Sequence, residues 1–269
     1  MMKIIASDYD GTLRRPDVGI TDKDREAIIK WRKEGNLFGV VTGRGDGMDV
    51  ELKRENVEFD FAITFNGVKI WNQNGNILKE FKGNGKKLYD MLPILLQKEG
   101  DWADIVTPKR SYYVTYESET ADGAMYSDGA THGYRQVDHP DTWVSNETVK
   151  SIEDFIQIYS LRKKDEEALK IAKQLKNIFP NDISALVNGS WVNIAPAGVN
   201  KATGVKEYAK IMKVADKDIY TVGDSYNDID MLKAYNGYAV FNAPDDLKGL
   251  ATAGVCDGIS GLIMKLGYF

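Results

Sequence analysis

The sequence predicts an α/β fold: a parallel sheet covered on both faces, with an α+β module inserted into it. Two observations carry this. At both ends of the 269-residue chain, short apolar runs that stop at polar turns alternate with segments of helical periodicity. Between them, over residues 83–188, that alternation gives way to hairpin turns and half-polar strands. The predicted organisation is therefore a core domain from 1–82 and 189–269 and an inserted domain from 83–188.

The elements follow in order. Ile4–Ser7 is an apolar run that stops at Asp8, a buried strand followed by a polar turn at Gly11. Residues 21–33 read as a helix: Thr21 can cap it, Ile28, Ile29 and Trp31 supply its apolar positions, and Gly35 ends it. Leu37–Val41 is a second buried strand, ending at Thr42-Gly43-Arg44. Residues 61–65 form a third, ending at Asn66-Gly67. Residues 68–71 and 77–81 flank Asn74-Gly75, a hairpin turn. Residues 86–97 read as a helix and 112–116 as a half-exposed strand. The stretch 118–150 has too little periodicity to assign. A strand over 155–161, a helix over 166–178 and a hairpin from 183–187 and 191–194 complete the inserted module. After Pro196 the alternation returns, with helices over 203–212 and Ile229–Ala234 and strands over 219–222 and 238–241.

Bulk properties exclude several classes. A net charge of −5 argues against a nucleic-acid binder, which would carry a basic patch. The single cysteine, Cys256, permits neither an internal disulfide nor a cysteine metal cluster, which fits a reducing cytoplasm. The first residues reach Asp8 too soon for a secretory apolar region, and no run has the length of a membrane span. A cytoplasmic protein without membrane or nucleic-acid partners is expected. Nothing in the sequence fixes its oligomeric state.

Four polar clusters hold the chemistry: Asp8-Tyr9-Asp10-Gly11-Thr12-Leu13, Thr42-Gly43-Arg44, Lys201 after Gly198-Val199-Asn200, and Gly223-Asp224-Ser225-Tyr226-Asn227-Asp228. In an open parallel sheet, ligands collect beyond the carboxyl ends of the strands, where three of these clusters fall. Carboxylates gathered at one place repel each other unless a cation sits among them. Asp8, Asp10, Asp224 and Asp228 thus suggest a hard cation, and Mg²⁺ suits few carboxylates, waters and a phosphate. A carboxylate can attack phosphorus, splitting one difficult hydrolysis into two easier steps. Thr42 can donate a hydrogen bond, Lys201 a positive charge, and the backbone around Tyr9 to Gly11 further N–H donors.

Asp-Tyr-Asp-Gly-Thr-Leu from Asp8 resembles the first motif of the haloacid dehalogenase (HAD) superfamily of phosphohydrolases. Thr42, Lys201 and Gly-Asp-Ser-Tyr-Asn-Asp from Gly223 resemble its second, third and fourth motifs, in order. Asn66-Gly67, the stretch from Ile194 to Lys201, and Asn242-Ala243 with Lys248 resemble the Cof-type branch, whose Rossmann-like core carries a large α/β cap between the second and third motifs. The resemblance implies Asp8 as nucleophile and Mg²⁺ ligand. It implies that Asp10 protonates the leaving oxygen, then activates water, and lends its backbone carbonyl to the metal. Thr42, Gly43, Lys201 and Asn227 then contact the phosphoryl group, and Asp224 completes the metal ligands. Asp228 is left open between ligating the metal and orienting Lys201 or metal-bound water. The sequence departs from the pattern at Ala202 and Phe241, where Gly is common, which bears on loop shape alone.

The expected function is therefore Mg²⁺-dependent hydrolysis of small phosphorylated metabolites, such as sugar phosphates, nucleotides or phosphorylated cofactors, through an aspartyl-phosphate. Two alternatives stand beside it: a phosphomutase or phosphotransferase on sugar phosphates, and a non-catalytic binding protein retaining the fold. Closure of the inserted domain over the site is expected to exclude water, with Gly83 and 196–198 as hinges. Other features carry less. Arg44-Gly45-Asp46 reads as part of the loop after Thr42, and His132 and His139 as surface residues. Trp102, Trp143, Trp191, Tyr112 and Tyr113 read as packing residues rather than as a pocket lining.

Overall fold

The computed structural model describes residues 2–116 and 144–268. It forms two compact units, Met1–Glu80 with Val199–Phe269, and Phe81–Gly198. His132, His139, Trp143 and most of the stretch left unassigned above lie outside the described residues.

The first unit is built on an eight-stranded sheet. Its order is Gly254–Cys256, Asn236–Val240, Ile219–Gly223, Ile4–Ser7, Leu37–Val41, Phe61–Thr64, Lys69–Asn72 and Ile77–Glu80. The first six strands run parallel, and Lys69–Asn72 pairs antiparallel with both Phe61–Thr64 and Ile77–Glu80. Ile4–Ser7 sits near the middle, with Ile4 opposite Ile219 on one side and Leu37 on the other. The chain winds outward from it in both directions. The switch point of the sheet therefore lies between the ends of Ile4–Ser7 and Ile219–Gly223, where this topology leaves a crevice.

Alternate residues of the strands feed separate cores, as the two-residue period of a strand requires. Ile5, Val40, Ala62 and Val222 pack with Ile28 and Trp31 of helix Asp22–Lys33 and with Ile259 and Leu262 of helix Gly258–Lys265. Ile4, Ala6, Val41, Phe61 and Ile63 pack with Val205 and Tyr208 of helix Lys201–Met212 and with Met231 of helix Ile229–Ala234. Each fully buried aliphatic side chain contributes about 1.5–3 kcal/mol from area removed from water. Thr21 caps its helix as expected, accepting from the Asp24 N–H. Helices Met48–Arg54 and Gly258–Lys265 and strand Gly254–Cys256 were not among the expected elements.

The second unit carries an antiparallel sheet in the order Ile183–Asn188, Trp191–Pro196, Gln157–Leu161, Trp102–Val106 and Ser111–Thr115. Helices Leu88–Leu95 and Asp165–Ile178 cover one face through Leu88, Met91, Leu95, Ala168, Ile171 and Leu175. Trp102 and Trp191 meet edge to face at 5.9 Å between ring centroids, so these two aromatics do pack on each other.

One boundary needs correction. The division expected between 188 and 189 cuts the hairpin in which Ile183–Asn188 pairs with Trp191–Pro196. Both strands belong to the second sheet, so the chain crosses back after Gly198, and it crosses out after Glu80. Gly83 lies inside the second unit, paired with Phe155. The hairpin expected over 183–187 and 191–194 is present, and it is the boundary drawn between its two strands that conflicts with it.

Candidate active site

The crevice is assembled from loops at the carboxyl ends of the parallel strands. Asp8 follows Ile4–Ser7 directly, and its backbone N–H still donates to the Val222 carbonyl at 2.8 Å. The chain then folds back on itself: Leu13 N–H reaches Asp8 O at 3.3 Å and Arg14 N–H reaches Tyr9 O at 2.7 Å. Gly11 makes this turn with φ of 86°, in the region that favours glycine. It has a second duty, since a Cβ there would lie 2.3 Å from Asp224 Oδ2. The missing side chain is what lets Asp224 approach the Asp8 loop. Thr12 Oγ1 holds Asp224 in place, donating to Oδ1 at 2.6 Å, and Asn242 Nδ2 donates to Gly11 O at 2.9 Å. That last bond forms with an exposed Phe241 beside it, so the departure at Phe241 leaves the loop in reach of Gly11.

Lys201 opens helix Lys201–Met212 behind a capping box in which Asn200 and Thr203 satisfy each other's backbone. Its side chain is fully buried, and Nζ donates to Asp8 Oδ1 and to Asp228 Oδ1, each at 2.6 Å. Ala202, the other departure, lies within that helix. The helix start is seated by Gly67, whose φ is 110° and whose Cβ would fall 2.0 Å from Asn200 O. Gly67→Ala is therefore expected to cost about 3 kcal/mol and to shift Lys201. A urea midpoint and a turnover rate both lowered would show it; an unchanged midpoint would mean the helix start can yield.

Asp228 is engaged through both oxygens. Besides Lys201, its Oδ2 accepts from the N–H groups of Asp224 and Ser225, each at 3.0 Å. It thus caps the loop that presents Asp224 and aims Lys201 at Asp8. Oxygens of Asp8, Asp224 and Asp228 lie within 4.8 Å of one another. Three carboxylates thus share one ammonium. Burial pushes the Asp8 carboxyl well above its ordinary range, against the pull of Lys201 and with the push of Asp228 and Asp224. Burial also raises Asp224, against its Thr12 hydrogen bond. Burial alone would lower Lys201, but Asp228 and Asp8 outweigh it and hold the ammonium charged. The excess negative charge and the oxygen-only donor set fit a hard divalent cation held by Asp8 and Asp224.

Thr42 ends strand Leu37–Val41, and its Oγ1 accepts from the Arg44 N–H at 3.1 Å, which leaves the hydroxyl proton to be donated. Asn66 bonds back to the Thr42 carbonyl through its own N–H at 2.9 Å, and its side chain accepts from Asn227 Nδ2 at 3.2 Å. A Cβ on Gly43 would sit 3.2 Å from Asn66 Oδ1. Thr42, Gly43, Asn66 and Asn227 thus form one connected wall. Phe65 and Asn66 both adopt left-handed backbone, with φ of 55° each. Strain of this kind, at a bulky aromatic and beside polar side chains, is held by the surrounding hydrogen bonds and concentrates at functional sites.

Asp10 stands apart from the acidic trio. Its carboxylate is gripped by Arg44, with Nε 2.8 Å from Oδ2 and Nη2 2.6 Å from Oδ1. The sequence reading treated Arg44 only as loop, and it did not single out Thr12 or the strained Phe65. Asn66-Gly67 did carry a signal, because asparagine tolerates left-handed backbone. Phe65 carries none.

A switch-point sheet with an acidic crevice and a buried lysine defines an α/β protein built to bind an anionic ligand at its strand ends, and comparison with known proteins supplies its class. The family model of the haloacid dehalogenase-like hydrolases matches residues 5–257, and the chain belongs to that family. It is similar to the 5-amino-6-(5-phospho-D-ribitylamino)uracil phosphatase YcsE of Bacillus subtilis, 26% identical over 93% of this chain and 88% of the relative. It is also similar to the pyridoxal phosphate phosphatase YbhA of Escherichia coli, 22% identical over 99% and 97% of the two chains. Among solved structures, the HAD subclass IIB sugar phosphatase BT4131 superposes with a TM-score of 0.78 at 22% identity, covering 99% of this chain and 100% of that one. No helix among the described residues is long and apolar enough to cross a membrane.

Proposed function

We propose that the protein is an Mg²⁺-dependent phosphatase of small phosphorylated metabolites that works through a phosphorylated Asp8. The observation that carries this is the Asp8–Lys201–Asp228 chain of hydrogen bonds. A buried ammonium neutralises the nucleophilic carboxylate that must approach an anionic phosphate. In the first half-reaction an Asp8 oxygen bonds to phosphorus as the bond to the leaving oxygen breaks, and Asp10 gives that oxygen a proton. In the second, water bonds to phosphorus, the Asp8–phosphorus bond breaks, and the water proton passes to Asp10. Thr42, Gly43, Lys201 and Asn227 hold the phosphoryl oxygens. Asp8 and Asp224 would hold the metal with the Asp10 carbonyl, and a bound Mg²⁺ neutralises phosphate charge. Selection of the organic part of the substrate is assigned to the inserted unit, Phe81–Gly198.

Several features support a hydrolase over a binding protein. Nucleophile, acid and lysine are all present, and the curated relatives named above are phosphatases. The test is release of inorganic phosphate from para-nitrophenyl phosphate and from a panel of sugar, nucleotide and cofactor phosphates, with Mg²⁺ or with excess chelator. Mg²⁺-dependent release is expected, together with a rise of about 3 kcal/mol in stability at 100 times the dissociation constant of Mg²⁺, absent in Asp224→Asn. Equal release with chelator, or none at all, would overturn the reading. Transfer to a sugar hydroxyl instead of water would favour a phosphotransferase.

A further inference from the structure

We propose that Arg44 is a positioning residue for the second half-reaction: it holds the Asp10 carboxylate as the proton acceptor for the attacking water. The inference rests on the phosphatase reading above and goes beyond it, because it concerns a residue outside the assigned acid, nucleophile and phosphate-binding set.

The geometry is that of a two-sided clamp. Both Asp10 oxygens accept from Arg44, one from Nε and one from Nη2, the parallel fork that fixes a carboxylate's plane as well as its place. A half-exposed aspartate beside a glycine turn would otherwise sample several rotamers. Arg44 is itself immobilised. Its guanidinium lies 4.8 Å from the centre of the buried Tyr9 ring, and Nη1 is 3.6 Å from Glu51. Glu51 is fixed in turn by the Tyr9 hydroxyl at 3.3 Å and by Arg54 at 2.6 Å. The backbone of Arg44 is held at both ends, its N–H by Thr42 Oγ1 and its carbonyl by the Phe65 N–H. The phosphate-binding loop and the acid–base group are thereby joined through one side chain. The fork takes one lone pair on each Asp10 oxygen and fixes the direction of those that remain, so the clamp serves the step in which Asp10 takes a proton: water adds to phosphorus, the Asp8–phosphorus bond breaks, and the proton moves from water to Asp10.

Para-nitrophenyl phosphate separates the two halves, because its leaving group departs without needing a proton. Rapid-quench measurements with Mg²⁺ on wild type, Arg44→Ala, Arg44→Lys and Glu51→Gln give the rate of the first nitrophenol release and the steady-state rate. In both Arg44 variants the steady-state rate is expected to fall at least about 10-fold further than the first release, within the range of acid–base contributions. Phosphorylated enzyme then accumulates as a burst approaching one nitrophenol per site. Lysine is expected not to rescue, since it offers no fork, and Glu51→Gln should show a smaller split of the same sign. Equal losses in both phases, or no loss in either, would overturn the proposal. Should Arg44→Ala not fold, Arg44→Lys and Glu51→Gln decide the matter alone. Wild type without turnover sinks the phosphatase reading; wild type with turnover and variants without the split sink only the role of Arg44.

Discussion

Asp8→Asn is expected to lower phosphate release by at least about 10⁴-fold, the scale seen when a nucleophile is removed from a unit of cooperating groups. The same substitution is expected to stabilise the metal-free protein at neutral pH by about 1–2 kcal/mol, as relief of a functional site commonly does. The reason is the raised Asp8 carboxyl, buried beside Asp228 and Asp224 with one lysine between them. A carboxyl whose folded value lies above its unfolded one contributes stability below the unfolded value and loses it as pH rises through the folded value. Wild type therefore carries the cost at neutral pH and sheds it on acidification, while the asparagine carries none. The stability gap should be widest near neutrality and close toward the ordinary carboxylate range. Thermal unfolding in chelator across that pH range measures it, at roughly 2–4 °C per kcal/mol. A variant less stable than wild type at neutral pH would mean that the Asp8–Lys201 pair outweighs the burial of charge.

Lys201→Met should be the more damaging change to the fold. Methionine fits the volume, but it leaves Asp8 and Asp228 buried without their shared cation. Breaking a buried pair from one side costs about 3–5 kcal/mol, a large share of the 5–15 kcal/mol that holds an ordinary domain together. Denaturant unfolding of metal-free protein is expected to show this loss, and activity should vanish with it. Adding Asp228→Asn to Lys201→Met should recover part of the stability and none of the activity, because the two residues share one interaction. Full stability in the single variant would mean that the carboxylates are neutralised in some other way. Arginine is expected to fail as well, since the site is sealed around a point charge.

Much of this arrangement was readable from the chain. Apolar runs ending at Asp8, Thr42 and Asp224 announce parallel strands that deliver polar groups to their carboxyl ends, and these strands do lie side by side in one sheet, though their order comes from the structure alone. Lys201 is expected near a helix start after Gly198-Val199-Asn200, and it is the first residue of helix Lys201–Met212; the capping box of Asn200 and Thr203 is visible only in the structure. What sequence could not supply is side-chain direction. Arg44 sits two residues after Thr42 and looks like loop filler, yet its fork lands on a residue 34 positions earlier. Thr12 reaches Asp224 across 212 positions. The hairpin of 183–187 with 191–194 is legible as part of the inserted module, and only the boundary between 188 and 189 cuts across it. Helix Met48–Arg54 escaped notice because it is short and mostly charged, with only Met48 and Leu52 turned inward.

The central strand Ile4–Ser7 has a consequence for biosynthesis. It is made before both of its flanking strands, and one of them, Ile219–Gly223, follows only after the whole second unit. Until then a nascent chain holds an open strand edge in the middle of its future sheet, a template for pairing with the wrong neighbour. The second unit closes through local antiparallel pairs and can be finished while that edge still waits. Asp8 and Lys201, 193 positions apart, can meet only after the second unit has been made, so products truncated before Lys201 lack this buried ion pair.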